Sequence, residues 1–314
     1  NTGSYNTAVG WKAAFNNRGG SYNTAIGQQA FASHTTADYS TAVGYQAGYT
    51  LANGGENAIL GAQALYYGTS AGINVAVGYQ AMYYSTTAAY SVAVGWRALF
   101  NNTTASNNTA IGYQAGYSNV TGTRNTFIGY NAATLCTGND NTIVGANSTP
   151  NMTSSAGIVS LGDIGQVATR IFDVTTENDR IIMGHNNITN AYVKVAWTVT
   201  SDARDKTDVA DAPYGLDFVN QLRPVTFKWD ERGRYENLTP DGTHKNIKTH
   251  MGFLAQDIIA LEESLGTPVN DLLIADNEQD DKLKITETKI IPALVKAIQE
   301  LKAEVDSLKQ QLAS

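Results

Sequence analysis

Asn6-Thr7-Ala8-Val9-Gly10 returns as Asn23-Thr24-Ala25-Ile26-Gly27 and again as Ser40-Thr41-Ala42-Val43-Gly44. The glycine column runs Gly10, Gly27, Gly44, Gly61, Gly78, Gly95, Gly112, Gly129, Gly145 and Gly162, and every interval is 17 residues except the 16 that end at Gly145. A period that strict means stacked supersecondary units, each covering its neighbour's apolar side, rather than one globular core.

The columns around the glycine state what each place requires. Immediately before it stand Val9, Ile26, Val43, Leu60, Val77, Val94, Ile111, Ile128, Val144 and Leu161, and two places earlier Thr7, Thr24, Thr41, Ala58, Val75 and Val92. β-Branched residues alternating with small ones suit a short strand whose side chains face opposite ways. Three places after the glycine comes Ala13, Ala30, Ala47, Ala64, Ala81, Ala98, Ala115 and Ala132, a position with no room for volume. A larger apolar pair often follows, as in Met82-Tyr83 or Leu99-Phe100, and then a turn such as Asn16-Asn17-Arg18-Gly19-Gly20. Each repeat therefore reads as strand, bend at glycine, second short strand, loop. Seventeen residues are too few for two helices and a turn, so the expected fold is a β-solenoid. About ten coils at roughly 4.8 Å each give a shaft on the order of 45 Å. One thin Ala/Val core is marginal alone, which predicts three shafts side by side. The aromatic column Trp11, Tyr45, Tyr79, Trp96, Tyr113 and Tyr130 would then cover an interface, with carbohydrate stacking as the alternative. The recurring Asn6, Asn23, Asn57, Asn74, Asn108, Asn125 and Asn141 read as a structural ladder of stacked amides.

The run Asn-Thr-Ala-Val-Gly-Tyr-Gln-Ala resembles the head repeats of trimeric autotransporter adhesins and similar repeats in phage fibres. The resemblance covers residues 1–165 and implies a trimer of left-handed parallel β-rolls, although this repeat is longer than the adhesin one.

Charge divides the chain. Residues 1–150 hold only Lys12, Arg18, Arg97, Arg124, Asp38, Glu56 and Asp140, whereas the whole chain of 314 residues has a formal net charge of −7. An uncharged, Tyr- and Asn-rich half followed by an ordinary charged half marks a module boundary. No basic patch points to nucleic acid, no apolar run reaches the ~18 residues of a membrane span, and the amino end does not read as a signal peptide. The chain opens inside a repeat, as a piece of something longer would. The lone Cys136, in a repeat loop, excludes an internal disulfide, and His34, His185, His244 and His250 show no metal-ligand spacing. Neither a Walker loop nor a dinucleotide fingerprint is present, so no cofactor and no metal is expected. Three widely separated acids in residues 1–150 also argue against a glycan-cutting groove built on paired carboxylates.

After Gly162 the repeat fades. Arg170-Ile-Phe-Asp-Val, Arg180-Ile-Ile-Met and Tyr192-Val-Lys-Val-Ala-Trp-Thr-Val-Thr200 read as strands of a β-rich neck over 166–200. The last segment, 286–314, is a helix: Ile291, Leu294, Ile298, Leu301, Val305, Leu308 and Leu312 keep a 3,4 spacing, and Pro292 falls in the first turn. A β-branched residue alternating with Leu favours two strands, whereas the solenoid argues for three. Three short heptads are easily overruled, so a homotrimer is expected.

Between neck and helix stands Thr200-Ser201-Asp202-Ala203-Arg204-Asp205-Lys206-Thr207-Asp208. A serine becomes a nucleophile when a base takes its proton, and lysine serves only when burial or nearby positive charge lowers its pKa. Arg204 would help, and Asp202, Asp205 and Asp208 would oppose. An ordinary polar loop is the plain reading of these residues alone. This run, then Leu222-Arg-Pro-Val-Thr-Phe-Lys-Trp229, Gly252-Phe-Leu-Ala-Gln-Asp257 and Ile291-Pro-Ala-Leu-Val-Lys-Ala-Ile-Gln-Glu-Leu301, resembles in order the endosialidase-type intramolecular chaperones found at the carboxyl ends of phage tail spikes and fibres. A related domain occurs in a membrane-tethered eukaryotic transcription factor, but neither a basic region nor a span supports that reading here. The resemblance spans residues 200–314 and implies a chaperone domain over 201–285 that trimerises and guides folding. It would then cut itself off between Thr200 and Ser201, with Ser201 as nucleophile and Lys206 as general base, once and in cis. Gly252, Phe253 and Gln256 are expected to hold that domain together. The implied protein is a virion tail fibre whose shaft extends or meets a host receptor or glycan. The alternative is a bacterial surface adhesin with a non-cleaving trimerisation cap, for which the polar end Lys309–Ser314 supplies no barrel anchor.

Overall fold

The computed structural model describes residues 2–162, 172, 174–185, 188, 191–194, 197–268, 271–278 and 283–313. The chain divides into two compact units, Asn1–Thr189 and Asn190–Ser314.

The first unit is the β-solenoid. Its strands are β1 (Thr7–Val9), β2 (Thr24–Ile26), β3 (Thr41–Val43), β4 (Ala58–Leu60), β5 (Val75–Val77), β6 (Val92–Val94), β7 (Thr109–Ile111), β8 (Thr126–Ile128), β9 (Thr142–Val144), β10 (Val159–Leu161) and β11 (Ile181–Met183). They form one parallel sheet in chain order. Column meets column in register, as in Thr7 opposite Thr24 and Val9 opposite Ile26. From β2 onward the middle residue of each strand points inward and is buried, from Ala25 through Phe127 to Ile182. Its two neighbours stay partly outside, which leaves a ladder of Thr, Val and Ile on the outer face.

The residues after each glycine are turns rather than the expected second strand. Three places per coil adopt left-handed backbone, shown in the second coil by Tyr22 (φ 60°), Gln29 (φ 59°) and Phe31 (φ 51°). Such conformations cost a non-glycine residue of order 1 kcal/mol each, and every turn of the stack repeats them. Stacking offsets the cost: Tyr22 donates its N–H to Ser4 O (3.0 Å), Gln29 to Trp11 O (2.8 Å) and Phe31 to Ala47 O (3.0 Å), all in adjoining coils. The glycine column has a second reason to exist. Gly78 sits at φ 125°, and a Cβ there would lie 2.5 Å from the Gly95 carbonyl oxygen of the next coil.

The asparagine column is a ladder, but mostly from amide to backbone. Asn57 Oδ1 accepts the Asn74 N–H (3.0 Å), while Asn57 Nδ2 donates to Ala71 O (2.9 Å). Amide-to-amide contact occurs there between Asn141 and Asn125 (3.1 Å) and runs as a column through Gln29, Gln46, Gln63 and Gln80, linked at 2.9–3.1 Å and ended by Arg97 on Gln80. The core keeps its volume by trading sizes between coils: Gly48 makes room for the Phe31 ring and Gly116 for Phe127.

The neck differs from expectation. Ile181–Met183 is the eleventh strand of the solenoid sheet, paired in parallel with β10, so the stack continues past a break of 22 residues between Gly162 and Gly184. The expected strand at Arg170 lies largely outside the described residues. Residues 192–194 and 197–200 are not in a strand.

The second unit holds α1 (Leu216–Gln221), β12 (Val225–Phe227), β13 (His250–Gly252), α2 (Ala255–Ser264), β14 (Ala275–Asp276), β15 (Lys284–Ile285) and α3 (Ile290–Ala313). The strands form two antiparallel pairs, β12–β13 and β14–β15. Tyr214, Phe218, Ile258, Ile274, Ala275, Ile290 and Ala293 make the core. α3 turns Ile290, Ala293 and Ala297 to that core, whereas Ile291, Leu294, Ile298, Leu301, Val305, Leu308 and Leu312 are all exposed. Pro292 stands in its first turn, where no intrahelical N–H is needed.

Candidate functional site

Local sequence places Lys206 beside Ser201. Asp202 accepts the Arg204 N–H (2.9 Å) and so caps a single 3₁₀ turn over Ala203–Asp205, which closes when Lys206 donates its N–H to Ala203 O (3.2 Å). The turn folds the lysine side chain back, and its Nζ donates to Ser201 Oγ at 2.6 Å. The two groups are thus within proton-transfer reach. Both are exposed in the single chain, as are Thr200 and the rest of 201–210.

The charges around the pair are arranged differently from the sequence expectation. Arg204 turns to Asp202, with its guanidinium 2.6 Å from the carboxylate. That hydrogen bond holds the Asp202 carboxyl below its usual range and raises the Arg204 guanidinium. A positive charge already matched by a carboxylate does little to favour a neutral lysine nearby, so burial is the remaining means of making Lys206 a base. A cleft of ≈ 600 Å³ lies in the same unit, lined by residues including Tyr214, Leu216, Asp217, Thr267 and Glu300, but neither Ser201 nor Lys206 borders it.

Residues with no catalytic signature hold this unit together. Glu262 is fully buried on α2, and its carboxylate accepts the N–H groups of Leu273 (2.8 Å), Ile274 (3.0 Å) and Ala275 (2.9 Å) and the hydroxyl of Tyr214 (3.0 Å). From α3, Glu300 accepts the Leu216 N–H at the start of α1 (2.6 Å), and Lys296 donates to Ala212 O (2.7 Å). Gly215 permits this, since a Cβ there would lie 2.3 Å from the Glu300 carboxylate. Acidic residues in -Ala-Leu-Glu-Glu-Ser- or a heptad helix read as solvent-facing, so sequence offered no sign of these roles. Gly252 lies against Glu287 and Phe253 packs on the core, whereas Gln256 is exposed on α2.

In the solenoid, ring columns stack along the axis. Trp96, Tyr113 and Tyr130 stack at 4.6 and 5.1 Å, and a column missed in sequence, Tyr49, Tyr66, Tyr83, Phe100 and Tyr117, stacks at 5.0–5.2 Å. Rings inside these columns spend both faces on each other and turn edges outward, which suits packing against protein better than stacking on sugars, while Trp11 and Tyr45 of the expected column stay exposed outside any ring stack. Among the described residues no group of three or more His, Cys, Asp or Glu side chains is placed to hold a metal ion, and no helix is long and apolar enough to cross a membrane.

Fold and site together define a repeat solenoid followed by a small α+β domain whose last helix leaves its heptad face exposed. Residues 201–267, beginning at Ser201, match the family described as the chaperone of endosialidase. No curated protein and no solved structure matches the chain.

Proposed function

We propose that this chain is the distal part of a phage tail fibre or spike whose carboxyl-terminal domain is an intramolecular trimerisation chaperone that removes itself. The observation that carries the reading is the 2.6 Å approach of Lys206 Nζ to Ser201 Oγ at the first residue of the family match. The open heptad face of α3 and the exposed apolar ladder of the solenoid supply two surfaces for three copies to cover.

The cleavage needs only these residues and one water. Lys206, neutral in the buried assembly, takes the Ser201 hydroxyl proton, and Oγ adds to the Thr200 carbonyl carbon. The C–N bond to Ser201 breaks, and its nitrogen accepts that proton from Lys206. Water then hydrolyses the ester, leaving a Thr200 carboxylate and a Ser201 amino terminus. Loss of the element that nucleated assembly leaves the fibre kinetically hard to unfold. Parallel β-structure forms slowly and exposes edges on the way, which is why it needs such a clamp. Host-surface attachment by the solenoid belongs to the same reading, with stacked rings favouring contacts between copies over a glycan.

The test is a cleavage time course across a dilution series of assembled protein, with the trimer verified by sedimentation. A rate unchanged by dilution fits cutting within one assembly. A rate that climbs with concentration after assembly contradicts it.

A further inference from the structure

Within 190–314, the described residues of the stretch that leads into Ser201 have the pattern of a strand and none of its bonds. Val193, Trp197 and Val199 fall on one face of an extended chain, and Lys194, Thr198 and Thr200 on the other. None of residues 191–194 and 197–200 makes a backbone hydrogen bond, and Tyr192, Trp197 and Val199 are 92%, 74% and 80% exposed. A β-branched and aromatic segment whose donors and acceptors are all open is a template for another strand.

We propose that residues 192–194 and 197–200 become β-structure by pairing with the same segment of other copies of this chain, which then walls in Ser201 and Lys206. Three observations select a second copy as the occupant. The unit that carries the segment also carries the open heptad seam of α3, and rotational symmetry about that seam sets identical segments at one height. Lys194 is the one charge in 191–200, so pairing at one height sets a single lysine, rather than a run of charge, beside its copies. Pairing would also meet the need left by the single chain, where the lysine is solvated and Arg204 is matched by Asp202. The inference rests on the dyad reading for its consequence, but the pairing itself does not.

Hydrogen–deuterium exchange on the full chain carrying Ser201→Ala, which stays whole whatever the dyad does, separates the two. The amides of 192–194 and 197–200 are expected to exchange at least about 100-fold more slowly than an unpaired chain, and to lose that protection in a Ser201→Ala, Leu301→Asp variant that sediments as a monomer. Unprotected amides in the Ser201→Ala trimer, or a Ser201→Ala chain that never self-associates, overturn the proposal. Protection together with a wild-type chain that stays whole keeps the pairing and removes the dyad reading. Cleavage of wild type with unprotected amides in the Ser201→Ala trimer does the reverse.

Discussion

His34 is fully buried against Phe31, and neither ring nitrogen has a hydrogen-bond partner. Desolvation lowers its pKa to about 4 from 6.5, with Asp38 acting weakly the other way. The unfolded chain therefore takes up a proton first. Stability is full above about pH 6.5, falls as pH drops toward 4, and levels off below, by up to about 3 kcal/mol. The same column elsewhere holds Asn17, Asn102 and Asn119, each bridging the N–H and C=O of the residue three places on. His34→Asn should consequently flatten the acid limb of the solenoid's unfolding curve at no cost near pH 7, as thermal melts from pH 4 to 7 would report. Cys136 occupies that column too, with its thiol pushed up to about 12 by burial. Glu262→Ala leaves the N–H groups of Leu273, Ile274 and Ala275 without that acceptor, the last two on buried residues, and the carboxyl unit should lose about 3 kcal/mol in urea unfolding followed by tryptophan fluorescence. Sequence showed the strict columns because backbone geometry forces the same residue type in every coil. It hid His34 and Glu262, whose roles depend on what a neighbouring element brings to them.

At the scale of elements, the solenoid tolerates variation where a side chain faces outward and almost none where coils touch. Gly78→Ala meets both a left-handed backbone and the Gly95 carbonyl, and should cost about 2–3 kcal/mol or open the stack at that coil, seen as a new protease-sensitive site. The strand at each repeat could be read from β-branched alternation. The expected second strand fails because left-handed residues stand at two of the next four places, a conformation that Gln, Leu and Met do not advertise. In α3 the heptad spacing named the helix and its open face. The opposite face, where Lys296 and Glu300 hold Ala212 and Leu216, followed only from the folded domain. Ile298→Asp lies on the open face and should abolish self-association while leaving the far-ultraviolet spectrum unchanged, because its side chain is 66% exposed in the single chain.

For the whole molecule, the single chain leaves several features uncovered around Ser201 and Lys206. Ser201 and Lys206 are within hydrogen-bond reach but exposed, residues 191–194 and 197–200 make no backbone hydrogen bond, and the heptad face of α3 is uncovered. On the proposed reading, copies of the same chain complete each of these features. The ordered motifs in residues 200–301 made the chaperone resemblance readable, since they fix spacing as well as residue type. The burial that the proposed reading asks of Ser201 and Lys206 lies in contacts between copies, which a linear sequence does not display. Intact mass of the denatured protein, wild type beside Ser201→Ala and Lys206→Ala, tests the central claim most directly. The account predicts two wild-type fragments that part between Thr200 and Ser201, with both variants whole. A wild-type chain that stays whole in the assembled trimer, or a Lys206→Ala chain that cuts at the wild-type rate, would contradict it.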